Sequence, residues 1–270
     1  MEPTGWYHVR SVTTLEDIFG LRGHRAIVTG ASSGLGIEFA EALAIAGADV
    51  ALVARRTERL EEVARRLEPY GVRAVAMPGD LTDFDSIPAV CDRCERALGP
   101  IDILVNNAGM LDSVRAEKIT RERWSRSLDV NLNALFFLSQ EFARRRFARG
   151  EPGRIVNVGS IFGAVASSTP GLAAYAASKG AITMLTRQLA IEWGGLGITV
   201  NAIAPAFFPT ELNAEDFEKP AVRSRVETFT PLGRLGSPGE LRAALLFLVS
   251  PAASYVTGST VFVDGGYTAW

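Results

Sequence analysis

A chain of 270 residues, 47% hydrophobic and 21% charged, can bury a substantial core, and its net charge of -2 leaves no basic footprint for nucleic acid or an anionic membrane surface. No apolar run approaches the roughly 20 residues that cross a bilayer, and residues 1–20 lack the basic, apolar and small-residue order of a signal peptide, so a cytoplasmic protein is expected. Both histidines, His8 and His24, precede the first predicted strand, which argues against a Ser-His-Asp triad and against a histidine-based metal site; no metal is expected.

Residues 1–20 read as a lead-in, with Leu15 to Leu21 expected to pack against a single domain spanning 21–270. From Arg25 the pattern is regular: strand Ala26–Thr29, helix Gly34–Ala46, strand Asp49–Val53, helix Glu58–Tyr70 and strand Arg73–Met77. Helix Phe84–Leu98, strand Ile101–Val105, a long helix Arg121–Arg146 and strand Arg154–Val158 follow. Helix Ala173–Trp193 and strand Thr199–Ile203 come next. Ser237-Pro238-Gly239-Glu240 reads as a capping box with proline at the first position of a helix that runs to Val249, and Thr260–Val263 is a seventh strand. Alternation of this kind predicts an α/β fold: a parallel sheet with helices on both faces. Cys91 and Cys94 fall within a helix and read as packing residues, and Arg144-Arg145-Arg146 as a solvated helix face.

Tyr175-Ala-Ala-Ser-Lys179 carries the most chemistry. A four-residue spacing puts a phenol and an ammonium on one helical face, where the cation favours the phenolate and makes the tyrosine a usable proton donor and acceptor. Lysine stands only at 118, 179 and 219 among 28 lysines and arginines, so its choice at 179 is informative. A compact ammonium can hold a ribose hydroxyl and a phenolate together, where an arginine fork would not. Upstream, strand Ala26–Thr29 feeds directly into Gly30-Ala31-Ser32-Ser33-Gly34-Leu35-Gly36 and a helix, the context of a phosphate cradle.

At the end of the second strand, where a NAD-selective site would place a carboxylate, the chain has Ala54-Arg55-Arg56. The two arginines would welcome the 2′-phosphate of NADP; the alternative is a pair facing solvent at a helix start. Asp80 and Leu81 follow the third strand and can flank an adenine, or Asp80 can act as a cap. Asn106-Asn107-Ala108-Gly109 ends the fourth strand, where small residues let backbone pass beside a cofactor.

Together, Thr29 to Gly36, Asn106 to Gly109, Asn131, Ser160 and Tyr175 to Lys179 resemble the compact short-chain dehydrogenase/reductase family from Leu21 to Tyr267. The resemblance implies a Rossmann-like three-layer sandwich, a seven-stranded parallel sheet of order 3-2-1-4-5-6-7, and a nicotinamide cofactor. It also implies that Asn131, Ser160, Tyr175 and Lys179 are catalytic. Tyr175 would exchange a proton with the substrate oxygen, Ser160 would hold that oxygen, Lys179 would hold the nicotinamide ribose and shift the tyrosine, and Asn131 would hold a water leading to solvent. Cofactor contacts would come from Gly30, Ser32, Ser33, Gly34, Leu35, Gly36, Arg55, Arg56, Asp80, Leu81, Asn107, Ala108, Gly109, Tyr175, Lys179, Pro205, Phe208 and Thr210.

Two departures from the family pattern stand out. The segment from Ser160 to Tyr175 is about two residues longer than usual, which reshapes the pocket wall around Phe162 to Pro170. Ala206 stands where the family usually has glycine after the sixth strand, so either a positive φ there strains the loop or another turn forms. Residues 207–231 resemble the family's substrate lid, with Arg223 and Arg225 open either to an anionic substrate or to solvent. The carboxyl end, Gly258 to Tyr267, resembles a segment buried in a homotetramer, or a dimer. The texture is most similar to the gluconate 5-dehydrogenase-like and glucose 1-dehydrogenase-like branch. The expected activity is therefore NADP(H)-dependent interconversion of a secondary alcohol and a ketone, with NAD(H) as a possible substitute and a sugar acid or polyol as substrate. A 3-oxoacyl-thioester reductase and a non-catalytic dinucleotide sensor are the alternatives.

Overall fold

The computed structural model describes residues 14–211 and 213–270; His8 and most of the expected lead-in lie outside them. Seven parallel strands form one sheet in the order β3-β2-β1-β4-β5-β6-β7. They are β1 (Arg25–Thr29), β2 (Asp49–Ala54), β3 (Ala74–Pro78), β4 (Ile103–Asn106), β5 (Gly153–Val158), β6 (Ile198–Pro205) and β7 (Thr260–Val263). Register aligns β1 with both neighbours, Val28 standing opposite Leu52 of β2 and Val105 of β4.

Why the central strands are apolar at every position follows from their alternation. Val28, Val50 and Leu52 belong to one core cluster, whereas Ile27, Ala51 and Val53 belong to the other, on the opposite face of the sheet. Helix α1 (Leu15–Phe19) precedes β1; α2 (Leu35–Ile45) and α3 (Thr57–Leu67) follow β1 and β2; α4 (Ile87–Leu98) follows β3. The run α5 (Arg121–Leu128) and α6 (Ala134–Arg149) precedes β5, and α7 (Ala173–Gly194) precedes β6. Helices α8 (Ala214–Glu218), α9 (Pro220–Phe229) and α10 (Arg242–Val249) lie between β6 and β7. Cys91 and Cys94 are buried on α4 within the second core, and the apolar surroundings push both thiols up to about 12.

Several expectations are corrected. The long helix from Arg121 is broken by one π turn, Asp129–Asn133, which carries the buried Asn131. The expected capping box does not open a helix: Glu240 Oε2 accepts from Ser237 N at 2.6 Å, but Gly239 sits at φ +93°, outside helical space, and α10 begins only at Arg242. Instead the Glu38 carboxylate of α2 accepts the N–H groups of Gly239 and Leu241, at 2.8 and 3.3 Å.

Of the three consecutive arginines only Arg144 faces solvent. Arg145 pairs with Asp92, Glu95 and Glu141, and Arg146 is 5% exposed, donating to the carbonyls of Pro152 and Ile101. The carboxyl end of α6 packs against the loops at the amino edge of the sheet, and a long guanidinium is the group that can reach their orphan carbonyls. Among the described residues of the expected packing stretch, Leu21 is fully buried and Ile18 half-buried, whereas Leu15 is 76% exposed.

Candidate active site

Because all seven strands run the same way, every strand's carboxyl end emerges on one edge, and the residues singled out from the sequence collect there. The glycine-rich loop leaves β1. Gly30 and Gly34 hold φ of +64° and +55°, which L side chains rarely adopt. A Cβ on Gly36 would stand 2.2 Å from the Gly30 carbonyl oxygen, and one on Gly30 would stand 2.9 Å from Ala108 Cα. The loop is therefore folded tightly on itself and against the end of β4.

Thr29 and Asn107 join the two strand ends. Thr29 Oγ1 accepts from the N–H groups of Asn107 and Ala108, both at 2.9 Å, and Asn107 Nδ2 donates to the Thr29 carbonyl at 2.9 Å. Deeper in, Asn106 Nδ2 donates to Asn157 Oδ1 at 2.9 Å, and Asn157 Nδ2 donates to Thr186 Oγ1 at 3.0 Å, linking β4, β5 and α7 through buried amides.

Arg55 and Arg56 differ in their roles. Arg56 Nη2 reaches the Ser32 hydroxyl at 3.1 Å and the Ser32 carbonyl at 3.3 Å, tying the end of β2 to the glycine-rich loop. Arg55 is exposed and has no hydrogen bond or ion pair among the described residues. Asp80 closes its own turn on Thr82, and those hydrogen bonds hold its carboxyl below the usual range; Leu81 is buried beside it.

At the ends of β5 and β6 the geometry turns chemical. Ser160 caps a short turn, its Oγ accepting from Phe162 N at 3.2 Å, and Gly163 lets that turn close on α7, where a Cβ would stand 2.6 Å from the Lys179 carbonyl oxygen. Tyr175 lies in the first turns of α7, half-buried. Burial pushes its phenol up, and the Ser160 hydroxyl beside it works the other way. Lys179 is 4% exposed; its Nζ donates to the Val158 carbonyl at 2.8 Å and stands 5.6 Å from the centre of the Tyr175 ring. Desolvation lowers that ammonium from 10.5 to about 8.

Asn131 meets the same group of residues through its side-chain amide. Oδ1 accepts from Met110 N at 2.7 Å, while Nδ2 donates to the Met110 carbonyl at 3.0 Å and to Ser178 Oγ at 3.1 Å. It fastens the loop after β4 to α7.

Ala206 keeps a negative φ and donates its N–H to the Val263 carbonyl at 3.1 Å, extending the β6–β7 ladder past Pro205, so no strain is stored there. Gly34 faces Thr210, whose N–H donates to Asn213 Oδ1 at 2.6 Å; the Phe208 carbonyl accepts from Asn213 Nδ2 at 3.0 Å. Asn213, not anticipated from the sequence, thus organises the turn after β6. A cavity of about 290 Å³ adjoins this turn, sharing Ala206, Phe207 and Phe208 with it and reaching Thr230, Arg234 and Asp264.

Residues 30–268 match a family model described as enoyl-(acyl carrier protein) reductase. Galactitol 2-dehydrogenase (L-tagatose-forming) of Cereibacter sphaeroides is 42% identical, the alignment covering 94% of this chain and 98% of that protein. Gluconate 5-dehydrogenase of Gluconobacter oxydans (strain 621H) is 40% identical, covering 93% and 97%. The crystal structure of a gluconate 5-dehydrogenase from Burkholderia cenocepacia J2315 in complex with NADP and tartrate superposes with a TM-score of 0.89 at 37% identity, covering 95% of this chain and 100% of that one. With likeness of this order along nearly the whole of each chain, the protein belongs to the short-chain dehydrogenase/reductase family.

Proposed function

We propose that this chain is an NADP(H)-dependent oxidoreductase that interconverts a secondary alcohol and a ketone, acting on a polyol or sugar acid. The observation that carries the reading is the convergence of Ser160, Tyr175 and a buried Lys179 at the carboxyl edge that also bears the glycine-rich loop. Relatives named for galactitol and gluconate oxidation support the substrate class, and the NADP in a solved relative supports the cofactor.

The residues fit a dinucleotide. Gly30, Gly34 and Gly36 form a cradle in which side chains would clash, with Ser32, Ser33 and Leu35 lining the same loop. Arg55 is an exposed guanidinium with no hydrogen bond or ion pair among the described residues and only an electrostatic effect on Asp80, suited to a 2′-phosphate. Asp80 and Leu81 would flank the adenine, Asn107 to Gly109 would pass beside the nicotinamide ribose, and Pro205, Phe208 and Thr210 would border the carboxamide. When bound, the nicotinamide supplies or accepts the hydride.

The chain's own residues handle the proton. A phenol kept protonated by burial is ready to donate to the carbonyl oxygen during reduction, and the resulting phenolate recovers a proton from solvent. Ser160 would donate a hydrogen bond to the same oxygen and fix the face presented for attack. Lys179 spends one N–H on Val158 and has two left, enough for a ribose hydroxyl and for electrostatic support of the phenolate. Asn131 acts by positioning: it holds Met110 and Ser178 around that lysine.

Residues 21–270 are proposed to act as one domain, with 207–231 as its substrate lid. We further propose a homotetramer, or a homodimer, supported by apolar side chains left open on α7 and around β7: Met184, Ile191, Tyr255 and Phe262. A cytoplasmic location belongs to the same proposal, supported by two unpaired buried thiols. No helix among the described residues is long and apolar enough to cross a membrane. Screening polyols, sugar acids, their ketones and a 3-oxoacyl thioester by nicotinamide absorbance tests the activity. Turnover of the thioester alone would overturn the substrate class, and turnover of none, with NADPH bound, would favour a sensor. Light scattering on the purified protein reads the oligomer.

A further inference from the structure

The substrate side of this edge carries an aromatic wall. Phe162 belongs to the turn capped by Ser160. Phe207, just past β6, meets Phe162 with ring centres 6.0 Å apart, Phe217 of α8 at 6.2 Å and Tyr267 at 5.2 Å, each edge to face. Three rings thus converge on Phe207, and all four rings remain partly open.

The carboxyl end is built to deliver Tyr267. Asp264 accepts from the N–H groups of Gly266 and Thr268 and from the Thr268 hydroxyl. Gly265 and Gly266 turn through positive φ against Thr230 and Pro231, where a Cβ would collide. Three of the arginines on the surrounding segments are paired with carboxylates, and Arg225 is tied to a hydroxyl. Arg223 pairs with Glu227 at 2.8 Å, Arg225 donates to Ser168 Oγ at 2.5 Å, Arg115 pairs with Glu117 at 2.8 Å, and Arg123 pairs with Asp112. The Arg225 contact joins the lid to the lengthened segment between Ser160 and Tyr175.

We infer that this wall selects an uncharged substrate with an apolar C–H face, a neutral polyol, ketose or cyclic alcohol, over a sugar acid. The inference rests on the hydride-transfer reading above and narrows its substrate class. A carboxylate pressed against Phe207 loses water to apolar rings, none of which can pair with its charge, and that is costly. A C–H face loses little and buries apolar area against the rings.

Binding separates this selection from turnover. Calorimetry with the Tyr175→Phe variant saturated with NADP+ compares galactitol, cyclohexane-1,2-diol and gluconate. The neutral ligands are expected to bind at least ~10-fold more tightly than gluconate, and Phe207→Ala or Phe207→Leu in that background to weaken them ~10-fold, within the range for loss of apolar pocket contacts. NADP+ affinity is expected to stay within about twofold, which also certifies folding. Gluconate binding as tightly as the neutral ligands overturns the inference, as does a Phe207 replacement that leaves their affinity unchanged. Absence of wild-type turnover on all three with this binding order intact counts against hydride transfer, not against the selection.

Discussion

Lys179 Nζ donates to the carbonyl of Val158 at 2.8 Å, so the ammonium of α7 hangs from the last residue of β5. The strand end therefore decides where the helix presents its charge, and α7 carries Tyr175 with it.

That buried charge should make stability depend on pH. Lys179 has a folded value of about 8 against 10.5 for an exposed lysine, so between those values the unfolded chain binds more protons and stability rises with pH. Below pH 8 the full cost of burying the ammonium is present. Urea unfolding of the cofactor-free protein should show a gain on the order of 2 kcal/mol from pH 8 to 10, which Lys179→Met should abolish. An unchanged pH profile in the variant would assign the rise to other groups.

Tyr175 shifts in the opposite sense. Its raised value keeps the phenol protonated throughout the neutral range. For ketone reduction, kcat/KM limited by this group should stay level through neutral pH and fall only above the ordinary tyrosine value of about 10. Tyr175→Phe should lower kcat by ~10³-fold while leaving NADPH binding intact, as measured by cofactor fluorescence.

The two arginines after β2 should separate in kinetics. Arg55→Ala should raise the KM for NADPH by ~10-fold or more with little change for NADH, the size of one charge-assisted hydrogen bond. Arg56 braces Ser32, so Arg56→Ala should weaken both cofactors. Equal effects of Arg55→Ala on NADPH and NADH would remove it from the phosphate contact.

Arg146 offers a test of the fold itself. Arg146→Ala leaves the buried carbonyl of Ile101 and the part-buried carbonyl of Pro152 without this donor, and should destabilise by about 2 kcal/mol in urea unfolding. Arg144→Ala, two residues away on the exposed face, should change stability by less than about 0.5 kcal/mol.

Much of this molecule is legible in its sequence. Strand and helix alternation, the glycine-rich turn and the four-residue spacing of Tyr175 and Lys179 are local patterns, set by hydrogen bonds and side-chain directions within a few residues. Parallel strands then follow from the connecting helices, and with them the collection of strand ends on one edge.

What the chain by itself did not disclose depends on partners far away in it. His24 hydrogen-bonds Asp102 at the amino edge, where that contact and the Arg25 N–H hold the carboxyl low despite its burial. Arg146 is buried because the loop carrying Ile101 arrives over it, and Asn131 is swung inward by a π turn whose amide contacts lie on Met110 and Ser178. The wall of Phe162, Phe207, Phe217 and Tyr267 exists only once β6, the lid and the carboxyl end have docked. Periodicity reports which face of an element is apolar; which side chains share a pocket is decided by packing between elements.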